Sequence, residues 1–246
     1  MDRMLYTAMT GAQQIMLRQT SNNNNLANTQ TTGFRQDLDT FKDLPLYGPG
    51  WETRVLTELQ SKGVDMTPGA IMETGRSLDV AAKGNALIAI QAKDGKEAYT
   101  RAGALNVNAN GMLETSTGQL VIGNGGPISV PPYENIAIAA DGSISVQPLG
   151  QAASTLAILD RLKLVSADAK ELVKTADGHL RAVNGKPLAV DAFAQVQSGA
   201  LETSNVNTVE ALVNMIALSR QFELNVKLME TTEKLDEQSA SRMTLS

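Results

Sequence analysis

The sequence predicts an α+β protein, in which a discontinuous helical coiled-coil domain formed by the N- and C-terminal segments accompanies a central antiparallel β-domain of short strands. Both ends of the chain carry amphipathic helical patterns, whereas closely spaced Asn-Gly and Asp-Gly turns divide the middle. The predicted helical domain is 1–28 with 205–246, an extended connecting segment is 29–72 with 198–204, and the β-domain is 73–197. The 246 residues suffice for such a division.

The first helix is predicted over residues 3–27, because apolar or small side chains recur there at heptad spacing. Gln19 and Asn23 fill the remaining positions of this stripe, and Gly33 marks the end of the segment because glycine accepts a positive φ. The apolar or small members of the stripe are Leu5, Met9, Ala12, Met16 and Leu26. The stripe packs either on a globular core or on other chains. The Asn run at 22–25 favours other chains, because Asn fills a core poorly.

Residues 34–72 contain the only tryptophan and a disproportionate share of the aromatic residues. Pro45, Gly48-Pro49-Gly50 and Pro68-Gly69 interrupt this region. The residues Phe34, Phe41, Leu44, Tyr47 and Trp51 form either a small satellite core or a docking segment for a neighbouring chain. The sequence alone leaves both interpretations open.

The central region is predicted to be an antiparallel barrel or sandwich of short strands. Strands at 77–81, 87–91 and 97–101 are separated by turns such as Asp94-Gly95, and Asp141-Gly142 separates two more. Strands are also expected at 128–130 and 161–165.

The second helix is predicted from residue 208 to about 240, with Asn207 or Thr208 as its N-cap. Its apolar stripe contains Val209, Leu212, Ile216, Ser219, Phe222, Val226 and Met229. Such a helix is about 50 Å long, which exceeds what a small β-domain needs to cover one face. Because neither terminal segment has a local core, we expect both to be weakly ordered before assembly.

Composition excludes several classes of function. The chain has no cysteine, which removes disulfides, thiolate zinc sites and cysteine nucleophiles. The net charge is −5 and no more than two basic residues are adjacent, which argues against nucleic-acid binding. Without an apolar run of 18 residues, direct membrane insertion is not expected. Polar residues interrupt the N-terminal apolar pairs, so no cleaved signal peptide is predicted.

No catalytic, cofactor-binding or metal-binding residue is predicted. His179 is the only histidine and follows an Asp-Gly turn, where a solvated side chain is the simpler interpretation. A hydrolase built on His179 and a secreted β-domain that binds a ligand are the alternatives. The second would need an aromatic-lined concavity built from Tyr99, Tyr133 and Phe193.

Three sets of residues resemble the signatures of the bacterial flagellar rod and hook proteins. Residues 23–28 (NNNLAN) with 32–35 (TGFR) are similar to the N-terminal signature of that family. Residues 198–207 (SGALETSNVN) and the helix after them resemble its C-terminal block. Residues 77–84 and 98–103 (AYTRAG) resemble its central strands. The opening residues, the segment 47–50 and the length are most similar to proximal rod proteins, with distal rod and hook-type subunits as alternatives.

This resemblance implies a non-enzymatic axial subunit of the flagellar basal body, in the rod that spans the periplasm. Its expected partners are further copies of itself, other proximal and distal rod subunits, and the flagellar type III export apparatus. Its terminal helices would pair as an inner coiled coil. The expected assembly interface comprises Leu5, Met9, Ala12, Met16, Asn23, Asn24, Asn25, Leu26, Asn28, Gly33, Phe34, Asn205, Val206, Asn207, Leu212, Ile216, Phe222, Val226 and Met229.

Overall fold

The computed structural model describes residues 2–45, 55–150, 156–175 and 177–244. Helices α1 (Asp2–Ala27) and α2 (Thr208–Thr244) lie at the two ends of the chain, as predicted. The strands between them are β1 (Asp37–Pro45), β2 (Val55–Val64), β3 (Ile71–Glu73), β4 (Val80–Ala82), β5 (Ala86–Gln91), β6 (Glu97–Thr100), β7 (Leu105–Val107), β8 (Leu113–Thr115), β9 (Leu120–Gly123), β10 (Gly126–Pro127), β11 (Tyr133–Ile138), β12 (Ser143–Pro148), β13 (Ala157–Arg161), β14 (Leu164–Ser166), β15 (Leu172–Lys174), β16 (Leu180–Ala182), β17 (Val196–Ser198) and β18 (Ala200–Glu202). A short 3-10 helix, Ala169–Glu171, precedes β15.

The chain divides into two compact units. The helical unit comprises Met1–Ala27, Asp37–Lys62 and Asn207–Ser246, and the β unit comprises Asn28–Gln36 and Gly63–Val206. The α+β class is therefore confirmed. None of the helices in the described ranges has the length and apolar character required to cross a membrane.

The helical unit also contains a two-stranded sheet that the sequence pattern did not predict. Strands β1 and β2 pair with each other, and polar side chains of α1 tie them to that helix. Gln14 accepts a hydrogen bond from the Leu59 backbone N–H at 2.8 Å. The Arg18 guanidinium lies 5.0 Å from the centre of the Phe41 ring. Tyr47 and Trp51, predicted to belong to a satellite core or docking segment, lie outside the described residues.

All of the described strand pairs in the β unit are antiparallel. The largest sheet has the order β15-β16-β6-β5-β9-β8-β7, with β10 beside β9 and β14 beside β5. A second sheet has the order β11-β12-β13, and two smaller pairs join β17 to β4 and β18 to β3. The central antiparallel β region predicted from the turn spacing is confirmed.

Strand β5 lies at the centre of the β unit because both of its faces are covered. Ile88 and Ile90 point into one hydrophobic cluster, and Leu87 and Ala89 point into the other. All four are 0% exposed. A strand whose alternate side chains enter two different cores reads as a continuous apolar run, which explains the sequence Ala-Leu-Ile-Ala-Ile.

Two strand predictions were wrong. Residues 128–130 do not form a strand, because the pairing after the turn uses Gly126–Pro127 and leaves only a single bridge from Ser129 to Met112. The strand expected at 161–165 is divided between β13 and β14. Leu162 makes an isolated bridge to Gly123, where the chain passes from the three-stranded sheet to the largest sheet. The turns Asp94-Gly95 and Asp141-Gly142 lie between strands as predicted.

Candidate assembly surface and motif junction

Helices α1 and α2 pack against each other in opposite directions. Asn22 of α1 donates a hydrogen bond from Nδ2 to the Ala211 carbonyl near the start of α2, at 2.8 Å. Gln19 donates to Ser219 Oγ at 3.4 Å, and Gly11, nearer the start of α1, lies beside Asn225. Increasing residue numbers on α1 therefore face decreasing numbers on α2, and the pair is antiparallel.

Three of the five buried apolar side chains in the described parts of the two helices are alanine. Ala8, Ala12 and Ile15 are buried on α1, and Ala211 and Leu218 are buried on α2. Small residues allow two helix backbones to approach closely. Of the predicted α1 stripe, only Ala12 is buried, whereas Leu5, Met9 and Met16 are exposed. The contact face is thus displaced by about one residue from the stripe predicted on α1.

The predicted stripe on α2 also contains both half-buried and exposed residues. Phe222, Val226 and Met229 are half-buried. Val209, Leu212 and Ile216 are exposed, at 70%, 41% and 53%. The interface predicted between neighbouring chains remains a prediction. Its exposed apolar members in this chain are Leu5, Met9, Met16, Val209, Leu212 and Ile216.

The asparagines at positions 22–25 lie on different faces of α1 because of the helical period. Asn25 is buried and forms two hydrogen bonds with Asp37, accepting from its N–H at 2.9 Å and donating to its carbonyl at 3.0 Å. Asn22 binds Ala211, as described above, while Asn23 and Asn24 are exposed. Leu26 and Asn28, the remaining predicted residues here, are half-buried. Two asparagines of the run therefore hold the unit together from within.

The C-terminal motif has internal roles as well. Asn205 accepts a hydrogen bond from the Gln36 N–H at 2.8 Å and donates to the Asp65 and Thr67 carbonyls at 3.0 Å each. Val206 is buried. Asn207 accepts from the N–H groups of Val209 and Glu210 at 3.0 and 3.2 Å, which confirms the predicted N-cap of α2.

Gly33 and Phe34 lie where the N-terminal motif meets the central strands. Gly33 has a φ of 69°, and a Cβ at this position would lie 2.2 Å from the Arg101 carbonyl carbon. Both the backbone conformation and the close approach therefore require glycine. The Phe34 ring is half-buried, with the Lys174 ammonium 4.1 Å from its centre.

Charged residues from the three family-like motifs meet at one buried point, which we call the motif junction: Arg35, Arg101 and Glu202. Arg35 Nη2 lies 2.7 Å from Glu202 Oε1, and Arg101 Nε lies 3.1 Å from Glu202 Oε2. The three side chains are at most 3% exposed. Backbone groups complete the site. Glu202 accepts from the Gly69 N–H at 2.8 Å, and Arg35 donates to the Thr67 carbonyl at 2.5 Å.

The motif junction carries two buried cations against one carboxylate. Burial lowers the pKa of Arg101 to about 10, with the nearby Arg35 acting in the same direction and Glu202 opposing it. Arg101 also donates to the carbonyls of Ala82, Gly84 and Ala86, whose dipoles disperse the excess positive charge. The sequence did not identify this cluster. Its signal was a single charged residue, Arg101, within the otherwise uncharged segment 98–103.

The alternative sites found in the sequence do not assemble. His179 follows the turn between β15 and β16 and lines a polar cleft of about 490 Å³ with Asp177 and Arg181. Burial lowers the pKa of His179. The acidic groups of this cleft are engaged, because Arg181 pairs with both Asp94 and Asp177 at 2.7 Å. Within the described ranges, no cluster of acidic or histidine side chains suited to a metal ion is present.

The aromatic residues required by a ligand-binding β-domain are dispersed. Tyr99 is buried in one hydrophobic cluster and Tyr133 packs against the other. Phe193 is 93% exposed. These three side chains therefore do not line a common concavity.

Two family models match segments of this chain. The model of the flagellar basal body rod FlgEFG protein C-terminal region matches residues 197–243, and that of the flagellar hook protein FlgE/F/G D1 domain matches residues 81–146. The chain is 40% identical to the flagellar basal-body rod protein FlgF of Salmonella typhimurium over 100% of both chains. The chain belongs to the family of flagellar basal-body rod proteins.

Other members of the family are similarly close. The chain is 42% identical to Escherichia coli FlgF over 95% of each chain. It is 33% identical to the basal-body rod protein FlgG of Buchnera aphidicola (subsp. Acyrthosiphon pisum), covering 94% of this chain and 96% of the relative. Arg35, Arg101 and Glu202 of the motif junction lie in the three segments that resemble the family's signatures.

Proposed function

We propose that the chain is a structural, non-enzymatic subunit of the bacterial flagellar basal-body rod. The observation that carries this proposal is the exposure of large apolar side chains on the faces of α1 and α2 that the two helices do not use against each other. In a subunit of a polymer, such faces are covered by neighbours. The names of the FlgF relatives, which are basal-body rod proteins, support the same conclusion.

The proximal part of the rod is the proposed position. Identity to FlgF proteins is 30–42%, with two of the three at 40% and 42%, whereas identity to FlgG proteins is 28–33%. The FlgG relatives make a distal rod or hook-type position the second candidate. In either position the subunit would contact further copies of itself and other rod subunits.

The two ends of the chain are proposed to form one helical coiled-coil domain from residues 1–28 and 205–246. Residues 29–72 with 198–204 would connect it to the β-domain, residues 73–197. The packed positions 8, 12 and 15 on α1, and 211 and 218 on α2, follow steps of three, four or seven residues, which is the spacing of a coiled-coil seam. The assembled helices would line the rod and help to build a hollow drive shaft for motility.

The chain is proposed to reach the rod through the flagellar type III export apparatus, without a cleaved signal peptide. Neither nucleic acid nor direct insertion into the membrane is part of this function. Weakly ordered terminal segments would suit export. They would become fully ordered only when neighbouring subunits cover their apolar faces.

Substitution of one exposed apolar residue on α2 tests the function. We expect Leu212→Asp or Ile216→Asp to block rod completion and swimming, because a carboxylate in a subunit contact remains buried without a partner. The matched control is Asn214→Asp, since Asn214 is exposed on the same turns of α2. The β unit should remain folded in all three variants, as judged by circular dichroism. Normal swimming of the Leu212 and Ile216 variants would contradict the proposal, as would absence of the chain from purified basal bodies.

A further inference from the structure

The chain crosses between the helical unit and the β unit four times, at 27/28, 36/37, 62/63 and 206/207. The helical unit is therefore built from three separate pieces of the chain, and these pieces can meet only if the segments that lead to them come together. Within the β unit, the segments at three of the four crossings converge on the side chain of Asn205.

The Asn205 amide spends its hydrogen-bonding groups on these segments. Its Oδ1 accepts from the N–H of Gln36, the last residue before the crossing at 36/37, at 2.8 Å. Its Nδ2 donates to the carbonyls of Asp65 and Thr67, just after the crossing at 62/63, at 3.0 Å each. Asn205 itself stands one residue before the end of the β unit at 206. Because an amide has one acceptor oxygen and two N–H donors, one side chain ties three connecting segments together.

Further hydrogen bonds close the same cluster. The Asp65 N–H donates to the Gln36 carbonyl at 2.9 Å, and the Asn205 N–H donates to the Phe34 carbonyl at 3.4 Å. The Thr67 N–H donates to Asp65 Oδ1 at 2.9 Å. We call Gln36, Asp65, Thr67 and Asn205 the connector stem, and all four belong to the β unit.

The connector stem lies at the margin of the β unit rather than in its core. Gln36, Asp65 and Asn205 are half-buried and Thr67 is exposed, and none of the four belongs to either hydrophobic cluster. Apolar residues beside the stem, such as Val206, are buried. Loss of the stem bonds should therefore loosen the connecting segments without opening the core.

The residue that follows Gln36 is held in a similar way inside the helical unit. Asn25 accepts from the Asp37 N–H and donates to the Asp37 carbonyl. Two successive residues at the 36/37 crossing are thus each bound by an asparagine of their own unit. The path of the chain at this crossing is specified by side chains that come from distant parts of the sequence.

We propose that Asn205 is a positioning residue, which holds the connecting segments in one stem and so lowers the entropic cost of joining the pieces of the helical unit. Gln36 and Asn205 are 169 residues apart, and closing a long loop costs entropy unless another contact has already closed it. The helical unit has little core to offset that cost, because three of the five buried apolar residues in the described parts of its helices are alanine. The consequence for rod assembly rests on the proposed function, whereas the action of the stem within one chain does not.

A pair of engineered thiols measures how often the two helices are together. A Cβ at Gly11 would lie 3.9 Å from Asn225 Cγ, the place that a cysteine sulfur would take. Gly11→Cys with Asn225→Cys therefore allows a disulfide between α1 and α2, and the chain has no native cysteine to interfere. Equilibration of the purified full-length chain with a glutathione buffer gives the effective concentration of the two thiols.

We expect Asn205→Ala to lower this effective concentration about fivefold or more, the factor that corresponds to one net hydrogen bond. Asn205→Asp should have a similar effect although it keeps the size of the side chain, because a carboxylate cannot donate to the two carbonyls. The matched controls are Asn184→Ala and Asn184→Asp, which should leave the effective concentration unchanged. Asn184 is exposed in the same unit, and its amide accepts from the N–H of Lys186, only two residues away, at 3.0 Å.

Amide exchange separates positioning from general stability. In Asn205→Ala the Gln36 amide, which loses its acceptor, should exchange at least about tenfold faster through local opening. The amides of β5 should keep their rates. An unchanged effective concentration of the thiols would overturn the inference, as would a rise in β5 exchange by the same factor as at Gln36.

The amount of chain in purified basal bodies tests the consequence for assembly. We expect Asn205→Ala to be incorporated less than the unmodified chain, and Asn184→Ala to be incorporated equally well. If Asn205→Ala lowered the effective concentration of the thiols but was incorporated normally, the role of the stem in assembly would be overturned. Absence of the unmodified chain from basal bodies would instead reject the proposed function, while the result on the purified chain would still decide whether the stem acts as inferred.

Discussion

The two units of this chain bury their apolar residues to very different extents. In the β unit, the central strand β5 is covered on both faces, and Leu87, Ile88 and Ile90 are 0% exposed. In the helical unit, the buried apolar residues in the described part of α1 are Ala8, Ala12 and Ile15, while Leu5, Met9 and Met16 remain exposed. The β unit therefore contains the core that it needs. The helical unit leaves much of its apolar surface exposed.

Polar side chains also serve different purposes in the two units. In the β unit, the motif junction is fully buried, and Glu202 joins two arginines from distant segments. In the helical unit, Asn22, Asn25 and Gln14 bind backbone groups of neighbouring elements. A buried ion cluster strongly penalises any incorrect arrangement, whereas uncharged hydrogen bonds from side-chain amides to backbone groups are weaker constraints.

The largest effect is expected from removal of the carboxylate of the motif junction. Glu202→Ala leaves two buried guanidinium groups without an anion, and the free energy of unfolding of the β unit should fall by about 3–5 kcal/mol. Urea unfolding of the full-length chain, followed by circular dichroism, measures this change. The matched control is Glu73→Ala, because Glu73 is exposed on the neighbouring strand β3, and its effect should stay within about 0.5 kcal/mol.

A third variant tests whether the motif junction stabilises the β unit beyond compensating its own charges. Replacement of all three charged residues by apolar ones, as Arg35→Met, Arg101→Met and Glu202→Leu, removes the unpaired charges together. Buried ion clusters exchanged in this way often leave stability unchanged or raised. A loss as large as that of Glu202→Ala would show that the motif junction stabilises the β unit beyond satisfying its own charges.

The next largest effect is expected at Gly33. Gly33→Ala combines a left-handed backbone, at a φ of 69°, with a Cβ placed 2.2 Å from a backbone carbon of Arg101. We expect a loss of about 3 kcal/mol or more, of which about 1–2 kcal/mol is the left-handed strain alone. Gly75→Ala is the control. Gly75 has nearly the same φ, 70°, but open space around it. Equal losses in the two variants would rule out a contribution from the close approach.

The sequence predicted the elements whose cause is local. The helix bounds follow from heptad spacing and the Asn207 cap, and the hairpin at Asp94-Gly95 follows from its turn residues. The motif junction could not be predicted from physical patterns, because Arg35, Arg101 and Glu202 are far apart in sequence and only the tertiary fold brings them together. The face of α1 that packs on α2 was displaced for a related reason. Small residues such as Ala8 form a contact that a pattern of large apolar residues does not reveal.

A smaller, pH-dependent effect is expected from Tyr99 of the β unit. Its hydroxyl donates to Glu97 at 2.9 Å and accepts from the Leu188 N–H at 2.6 Å, and burial raises the pKa of Tyr99 to about 12. Between pH 10 and this value, the unfolded chain loses the tyrosine proton while the folded chain keeps it, so stability falls as pH rises. Tyr99→Phe should cost about 1–2 kcal/mol at pH 8 and weaken the alkaline dependence. Urea unfolding at pH 8, 10 and 11 measures both, and an unchanged pH dependence in the variant would contradict this assignment.

The smallest effect is expected in the helical unit, at the N-cap of α2. Asn207→Ala removes the acceptor for the N–H groups of Val209 and Glu210 and should cost about 1 kcal/mol. Because the helical unit has little core of its own, the loss should appear as faster amide exchange in the first turn of α2, while the amides of β5 remain unchanged. Asn214→Ala, inside the same helix, is the control. If the β5 amides also exchanged faster after Asn207→Ala, the two units would share one cooperative transition, and the contrast between a self-sufficient β unit and a dependent helical unit would be wrong.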